Sequence, residues 1–147
     1  MTAVHNKLKT IEFSLTPDEG TPLQFECQIS SWEMQNNTDD PTQQYTFCPD
    51  GSFYETADPA YALSLTFFSD WQADGVSDFL WSNDGQTVDF TLDHLPDVAT
   101  QHVQWTGSCQ IKAPNAGGDV RATESQEVVL PIVGVPTYVP NADVVAP

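Results

Sequence analysis

The chain has 147 residues, a length that suits one domain with its own hydrophobic core. Its formal net charge is −17, from 21 acidic and 4 basic side chains. A field of this sign repels nucleic acid, and the cations Lys7, Lys9, Lys112 and Arg121 are too few for the basic patch of a DNA-reading domain. The charge fits either a solubilising surface or a surface that lies near DNA without binding it.

The three cysteines argue against a closed disulfide framework, because their number is odd. The first residues contain no continuous apolar stretch of the kind found in a signal peptide, and no apolar run approaches the ~18 residues of a membrane span. We therefore expect a cytosolic product with reduced thiols. Cys27 and Cys109 fall on apolar strand faces and are predicted to be buried, whereas Cys48 lies in a predicted loop. The sequence leaves open whether Cys27 and Cys109 are neighbours.

The first two predicted strands form a hairpin. Ile11, Phe13 and Leu15 alternate with polar residues, and the alternation resumes from Leu23 to Ile29 after a turn at Asp18-Glu19-Gly20. This period of two is typical of strands with one buried and one wet face.

Residues 32–59 are predicted to form a long loop. The segment is polar, is broken by several proline and glycine turns, and has one short strand-like run, around Gln44 to Phe47. Loops of this length are usually functional or disordered, and a disordered linker would carry fewer aromatic residues. Five aromatic residues mark it as a candidate assembly loop: Trp32, Tyr45, Phe47, Phe53 and Tyr54. The alternative is a surface excursion that packs on its own domain.

The segment from Tyr61 to Leu92 is predicted to be a strand, one short helix and a second strand. Ser69-Asp70 is a candidate N-terminal cap, and Gly85 suits the position after the helix where φ is positive. Val76, Phe79 and Leu80 form one apolar stripe at helical spacing, which predicts that they anchor the helix to a sheet.

Two further strands are predicted, over 103–111 and 125–133, and Pro131 indicates either a sheet edge or the end of the second strand. Residues 136–147 are rich in proline and are predicted to be an extended C-terminal arm. The predicted fold is mainly β (α+β): a single domain over 1–147, with six or seven strands in a β-sandwich or barrel, one short flanking helix and a long loop.

No motif for catalysis, metal binding or cofactor binding is present in the sequence. His5, His94 and His102 lack the spacing of a metal site, and the chain has no Cys-x-x-Cys, no G-x-S-x-G and no P-loop. Asp39, Asp40 and Asp50 lack the full ligand spacing of a calcium loop. We therefore predict neither an enzyme nor a cofactor.

The order of elements after Leu63 matches a known family. The matching features are the strand Leu63–Phe68, Asp70-Trp71, Asp78-Phe79-Leu80-Trp81, Asn83-Asp84-Gly85, the strand Val88–Leu92, Gly107-Ser108-Cys109, Gly117-Gly118 and the closing stretch from Val129 to Pro136. In these features the chain resembles the major tail tube proteins of long-tailed bacteriophages, in particular those of actinobacterial siphoviruses. The likeness covers about the C-terminal two-thirds well and the N-terminal hairpin loosely.

The resemblance implies a structural function and several partners. Tail tube subunits form hexameric rings that stack into a hollow tube, through which DNA passes into the host. One sheet of each subunit lines the lumen, and the long loop and terminal arms contact neighbouring subunits and rings. The implied partners are other copies of the chain and the tape measure, tail terminator and distal tail proteins. The implied location is the virion tail, and the host cytoplasm during assembly; no membrane partner is implied.

Three acidic residues on predicted strand faces are candidates for lining such a lumen: Glu12, Glu26 and Asp89. Alternation alone equally allows an outer solvated face for each. Two other functions stay open. One is a related ring component, such as a tail terminator or secretion-tube protein. The other is a carbohydrate-binding β-sandwich that would use exposed aromatics, for which Trp81 and Trp105 are candidates.

Overall fold

Two antiparallel sheets enclose the core of the molecule, and a short helix packs against it. The computed structural model describes residues 5, 7–17, 20–98 and 101–140. Asp18 and Glu19 of the predicted turn and residues 141–147 of the predicted arm lie outside this description. The described elements are β1 (Ile11–Thr16), β2 (Leu23–Gln24), β3 (Ile29–Asn36), β4 (Thr42–Gln44), β5 (Phe53–Glu55), β6 (Tyr61–Phe68), α1 (Val76–Ser82), β7 (Thr87–His94), β8 (Val103–Gln110), β9 (Ser125–Pro131) and β10 (Thr137–Pro140).

The larger sheet has five strands in the order β10-β8-β7-β1-β2, and the smaller sheet has three in the order β3-β6-β9. β4 and β5 form a separate two-stranded hairpin. β1 pairs along its whole length with β7, from Ile11 opposite His94 to Thr16 opposite Asp89. The two main sheets meet at one side, where Cys109 bridges to Ile132 and the Val133 amide donates to the Ser108 carbonyl.

The core lies between the two sheets and follows the period of two in each strand. Its largest fully buried side chains are Phe13, Leu15, Leu63, Leu65, Phe67, Leu80, Phe90, Leu92, Ile111 and Leu130. Because alternate residues on β1, β6 and β7 are apolar, each of these strands turns one continuous apolar face inward.

The helix α1 packs its apolar stripe into this core. Val76, Phe79 and Leu80 are buried, and the Phe79 ring lies 5.5 Å from the Phe25 ring between centroids. The N-terminal cap is Gly75 and not the predicted Ser69-Asp70. Asp70 lies against Gly75 so closely that any side chain at Gly75 would clash with it, and the Asp70 carbonyl accepts from the Ser77 amide. Gly85 has a φ of +85°, as predicted.

The second predicted strand is wrong in its length and in the burial of its residues. The chain leaves the larger sheet after Gln24, turns through residues 26–28 and enters the smaller sheet at Ile29. Phe25 is buried, but Cys27 is exposed because it lies in the turn, so the predicted burial of this thiol is also wrong. Cys109 is fully buried as predicted.

The structure also divides the segment predicted to be one long loop. Its first residues, 32–36, complete β3, which pairs with β6. The rest contains the β4–β5 hairpin, in which Thr42 lies opposite Glu55 and Gln44 opposite Phe53. The short strand-like run predicted around Gln44 to Phe47 overlaps β4 only at Gln44, and β5 was not predicted. Each of these strands has three residues, too few to show a buried face.

The predicted fold class is confirmed, since the regular structure of the described chain consists of antiparallel strands and one short helix. The strand number exceeds the prediction because β3 is a strand of its own and because β4, β5 and β10 are too short to show alternation. None of the described residues belong to a helix with the length and hydropathy of a membrane span.

Candidate functional site

The outer face of the five-stranded sheet is polar along four adjacent strands. Every outward side chain of β1, β2, β7 and β8 is Ser, Thr, Gln, Asp or Glu, and we call this surface the polar sheet face: Glu12, Ser14, Thr16, Gln24, Thr87, Asp89, Thr91, Asp93, Gln104, Thr106, Ser108 and Gln110. It contains no basic and no apolar side chain. An antiparallel sheet commonly has one polar face in water, and both signs of charge are then usual. On this face the charged side chains of the four strands are all carboxylates.

Two of its carboxylates are held by neighbours on the adjacent strand. Asp89 accepts from the Ser108 hydroxyl at 2.8 Å. One oxygen of Asp93 accepts from Gln104 Nε2 at 3.0 Å and lies 2.9 Å from His102 Nε2. Asp93 lies at one end of the face and is only 8% exposed. These hydrogen bonds link the side chains of β7 to those of β8.

The structure places two of the three candidate acidic residues on this face. Glu12 projects from β1, where it lies opposite Asp93 of β7. Asp89 projects from β7, where it lies opposite Thr16 of β1. Glu26 is elsewhere, because it lies in the turn between the two sheets and is half-buried. Its assignment to a strand face is therefore wrong. Asp93 was passed over, although it continues the alternation of Asp89 and Thr91.

The second candidate surface is the excursion between β3 and β6, residues 37–60, which we call the hairpin segment. Two hydrogen bonds close its base: the Asn37 amide donates to the Ala60 carbonyl at 2.6 Å, and the Ala60 amide donates to Thr38 Oγ1 at 2.9 Å. Within the described chain, β4 and β5 pair only with each other. An isolated two-stranded hairpin is marginally stable in water, so this segment suits ordering against a partner.

The hairpin segment presents aromatic side chains to solvent. Tyr45 is 76% exposed, Phe53 54%, Tyr54 66%, and Phe47 near the tip is fully exposed. Exposed aromatic clusters of this kind mark protein–protein contact sites. The fifth candidate, Trp32, is not part of this group, because it lies in β3 and packs inward.

Trp32 instead belongs to a cluster of rings that joins the two sheets. Its ring centroid lies 5.1 Å from that of His94 and 6.1 Å from that of Trp105, and Trp105 lies 5.8 Å from Tyr138. His94 stacks on Trp105, and burial lowers the pKa of its imidazole. Trp105 therefore packs against the core, whereas Trp81 on the helix is exposed. The two candidate glycan-binding aromatics do not share one exposed surface.

Two features of the described residues bear on metal binding and thiol chemistry. No group of three His, Cys, Asp or Glu side chains among them is close enough to hold a metal ion. Cys109 is the buried thiol, and burial with the nearby Asp89 charge raises its pKa to about 12. A thiol in this state is protonated and a poor nucleophile at neutral pH.

Comparisons with known proteins find similar structures but no similar sequences. This chain matches no protein-family model and no curated protein sequence. Solved structures do match. The tail of an empty gene transfer agent (GTA) particle, refined with helical and C6 symmetry, gives a TM-score of 0.60 at 14% identity over 88% of this chain and 95% of that chain. The fold is that of tail proteins.

Two further structures agree. The virion of the native GTA particle gives a TM-score of 0.59 at 13% identity, covering 92% of this chain and 99% of the other. The baseplate of the anti-feeding prophage, with 6-fold symmetry, gives 0.52 at 12% identity, covering 96% and 99%. Near-complete coverage in both directions means that the tail-type fold spans the described chain and not one substructure.

Proposed function

We propose that this chain is a structural subunit of a tail tube. In this proposal it assembles into hexameric rings, the rings stack into a hollow tube, and DNA passes through the tube to a host cell. The subunit acts by assembly and not by catalysis. From the resemblance in the sequence, we further propose that the tube belongs to a long-tailed phage of the actinobacterial type.

The polar sheet face is the observation that carries the proposal. A channel for DNA must be wet and must not retain a polyanion, and a sheet with carboxylates but no cation meets both needs. We propose that this face lines the lumen, with Glu12 and Asp89 turned toward the passing DNA. The likeness to a tail with C6 symmetry supports a ring of six such sheets.

The hairpin segment supplies the contact between copies. Its four exposed aromatic side chains are separated from the polar sheet face, since β3 belongs to the other sheet. A contact between different patches of identical subunits is heterologous and produces a ring or an open filament. We propose that the hairpin segment orders when it meets a neighbouring subunit or ring.

The remaining partners follow from the same role. A tube needs proteins that set its length and close its two ends, so we propose the tape measure, tail terminator and distal tail proteins as partners. The protein would be found in the virion tail after assembly in the host cytoplasm.

Electron microscopy of the purified protein tests the proposal. In negative stain over a range of concentrations, we expect hollow tubes whose end views show six-fold rings. The same tubes should not retain double-stranded DNA at physiological salt. A protein that stays monomeric at every concentration would contradict the proposal.

A second candidate is a ring or short-tube component of an injection machine. The likeness to the anti-feeding prophage baseplate favours it. The same micrographs separate the two candidates: isolated rings that never stack, at any concentration, would favour the baseplate-like component.

A further inference from the structure

An open groove lies where the two sheets do not meet. On one side of the sandwich the sheets join through Cys109 and Ile132, but on the other side β1 and β3 have no backbone hydrogen bond between them in the described chain. The gap is a groove of about 380 Å³ between residues 8–11 and 26–32. Leu8, Ile11, Ile29 and Trp32 give it apolar walls. We call it the N-terminal groove.

Two residues that line the groove carry buried polar atoms without partners. Glu26 Oε2 and Trp32 Nε1 make no hydrogen bond within the described residues. Burying such an atom without a partner destabilises the fold, because its hydrogen bond to water is lost and not replaced. An occupant with both a hydroxyl donor and a carboxylate acceptor would suit this pair. The hairpin segment carries both, in Tyr45 and Tyr54 and in Asp50.

The charges near the groove are complementary to those of the hairpin segment. Lys7 and Lys9 are half of the basic side chains in the whole chain; Lys9 lines the groove, and both are exposed. Glu26 is the one carboxylate among the described lining residues. The hairpin segment has no basic residue and five exposed acidic residues: Asp39, Asp40, Asp50, Glu55 and Asp58. In a chain with a net charge of −17, few other surfaces attract a second copy.

The groove and the hairpin segment lie at opposite ends of one strand. β3 begins at Ile29 beside the groove and ends at Asn36, where the hairpin segment begins. Eight extended residues separate the two ends by about 25 Å. A hairpin that enters the groove of the next copy therefore makes a head-to-tail contact, the kind of contact that can repeat from copy to copy along a filament.

We propose that the N-terminal groove is the receiving site for the hairpin segment of a second copy. The aromatic side chains near the hairpin tip fill the apolar part of the groove, and the acidic residues of the hairpin lie against Lys7 and Lys9. This inference rests on the proposed function and identifies the two surfaces that form its stacking contact.

The protein's own cysteines report this contact. Cys27 lines the groove and Cys48 lies near the hairpin tip, and both are exposed. Cys109 is buried with a pKa of about 12, so it stays unreactive. Assembled full-length protein is treated with a short bis-maleimide and digested for mass spectrometry. We expect a Cys27–Cys48 linked peptide. A mixture of Cys27→Ser and Cys48→Ser subunits should also give it, because the link joins two copies, and neither variant alone should.

A matched pair of charge variants tests the electrostatic part. Lys7→Glu with Lys9→Glu should raise the protein concentration needed for assembly about tenfold or more. The control, Lys112→Glu with Arg121→Glu, changes the net charge equally on exposed residues outside the groove and should shift that concentration less than about threefold. Thermal unfolding of both variants confirms that they are folded.

The outcomes separate this inference from the proposed function. If filaments form but the linked peptides join only Cys27 to Cys27 or Cys48 to Cys48, or are absent, the docking site is wrong and the tube proposal stands. Equal effects of the two charge variants would also overturn the docking site. If the unmodified protein never assembles, the tube proposal and the docking site fail together.

Discussion

At the scale of single residues, position in the sheet decides what each carboxylate or aromatic ring can do. Glu12 and Asp89 share one outward face, and Glu26, with the same chemistry, lies in a turn beside an apolar groove. Phe79 and Phe47 show the same contrast among aromatics. Phe79 is 4% exposed and packs against Phe25, whereas Phe47 is fully exposed.

Replacing these two phenylalanines should separate stability from assembly. Phe79→Ala removes a buried ring and its contact with Phe25, so we expect the free energy of unfolding to fall by about 3–5 kcal/mol. Phe47→Ala, the matched control, should change it by less than about 0.5 kcal/mol. Chemical denaturation of the unassembled protein measures both. A loss below about 1 kcal/mol for Phe79→Ala would show that α1 contributes little to the core.

Residue patterns predicted burial well where alternation was long. Phe13, Leu65 and Phe90 lie inward as the period of two requires. The pattern misled at Cys27, because the alternation from Leu23 to Ile29 continues through a turn that the sequence does not mark with glycine or proline. Trp32 was assigned to the loop because the residues that follow it are mostly polar. In the structure it lies in β3, where it pairs with Leu65 of β6.

At the scale of elements, the hairpin segment is the part most independent of the core. Its strands pair with each other alone in the described chain. Its base is closed by one backbone hydrogen bond, from Asn37 to Ala60, and by one from the Ala60 amide to the Thr38 hydroxyl. A segment with exposed aromatics and little tertiary packing contributes little to monomer stability.

Excision of this segment should therefore abolish assembly and spare the fold. Replacing residues 39–59 by Gly-Gly should change the free energy of unfolding by less than about 1 kcal/mol, because the base stays closed. Microscopy should show no filaments. A full-length control with Ser at Phe47, Phe53 and Tyr54 tests the aromatics apart from the length. Normal filaments from either variant would make the segment a surface decoration, and an unfolded excision variant would make it part of the domain.

Three of the missed strands share one physical cause. β4, β5 and β10 are held by backbone pairing to a neighbour and not by an apolar face, so their side chains carry no periodic signal. The pairing of β1 with β7, more than 70 residues later, depends on core packing that no local window contains. The helix α1 was predictable since its stripe and Gly85 are both local.

At the scale of the whole molecule, the few basic side chains and the many acidic ones are unevenly spread over the surface. The polar sheet face has no Lys or Arg, while Lys9 lines the N-terminal groove and Lys7 lies two residues before it in the chain. The sequence predicted the sign of the field and the fold class. It did not predict which face is free of cations, because that depends on strand order.

Introducing cations on the polar sheet face should make the tube retain DNA. Tubes of Glu12→Lys with Asp89→Lys should bind a short duplex that is protected from nuclease, with an affinity that falls as salt rises. The control, Glu33→Lys with Glu127→Lys, places the same charges on exposed positions of the other sheet, so any bound duplex should stay nuclease-sensitive. Intact tubes of the first variant whose DNA is fully digested would show that this face does not line the lumen.

The two hydrogen bonds at the base of the hairpin segment also have a mechanical consequence. They make a narrow neck between a stiff, hydrogen-bonded body and a tip that would lodge in the adjacent copy. In a filament joined through such necks, curvature would accumulate as small rotations at each joint, with each subunit body undeformed. The bending stiffness of the whole assembly would then be set by about twenty residues that contribute almost nothing to the folding of a single copy.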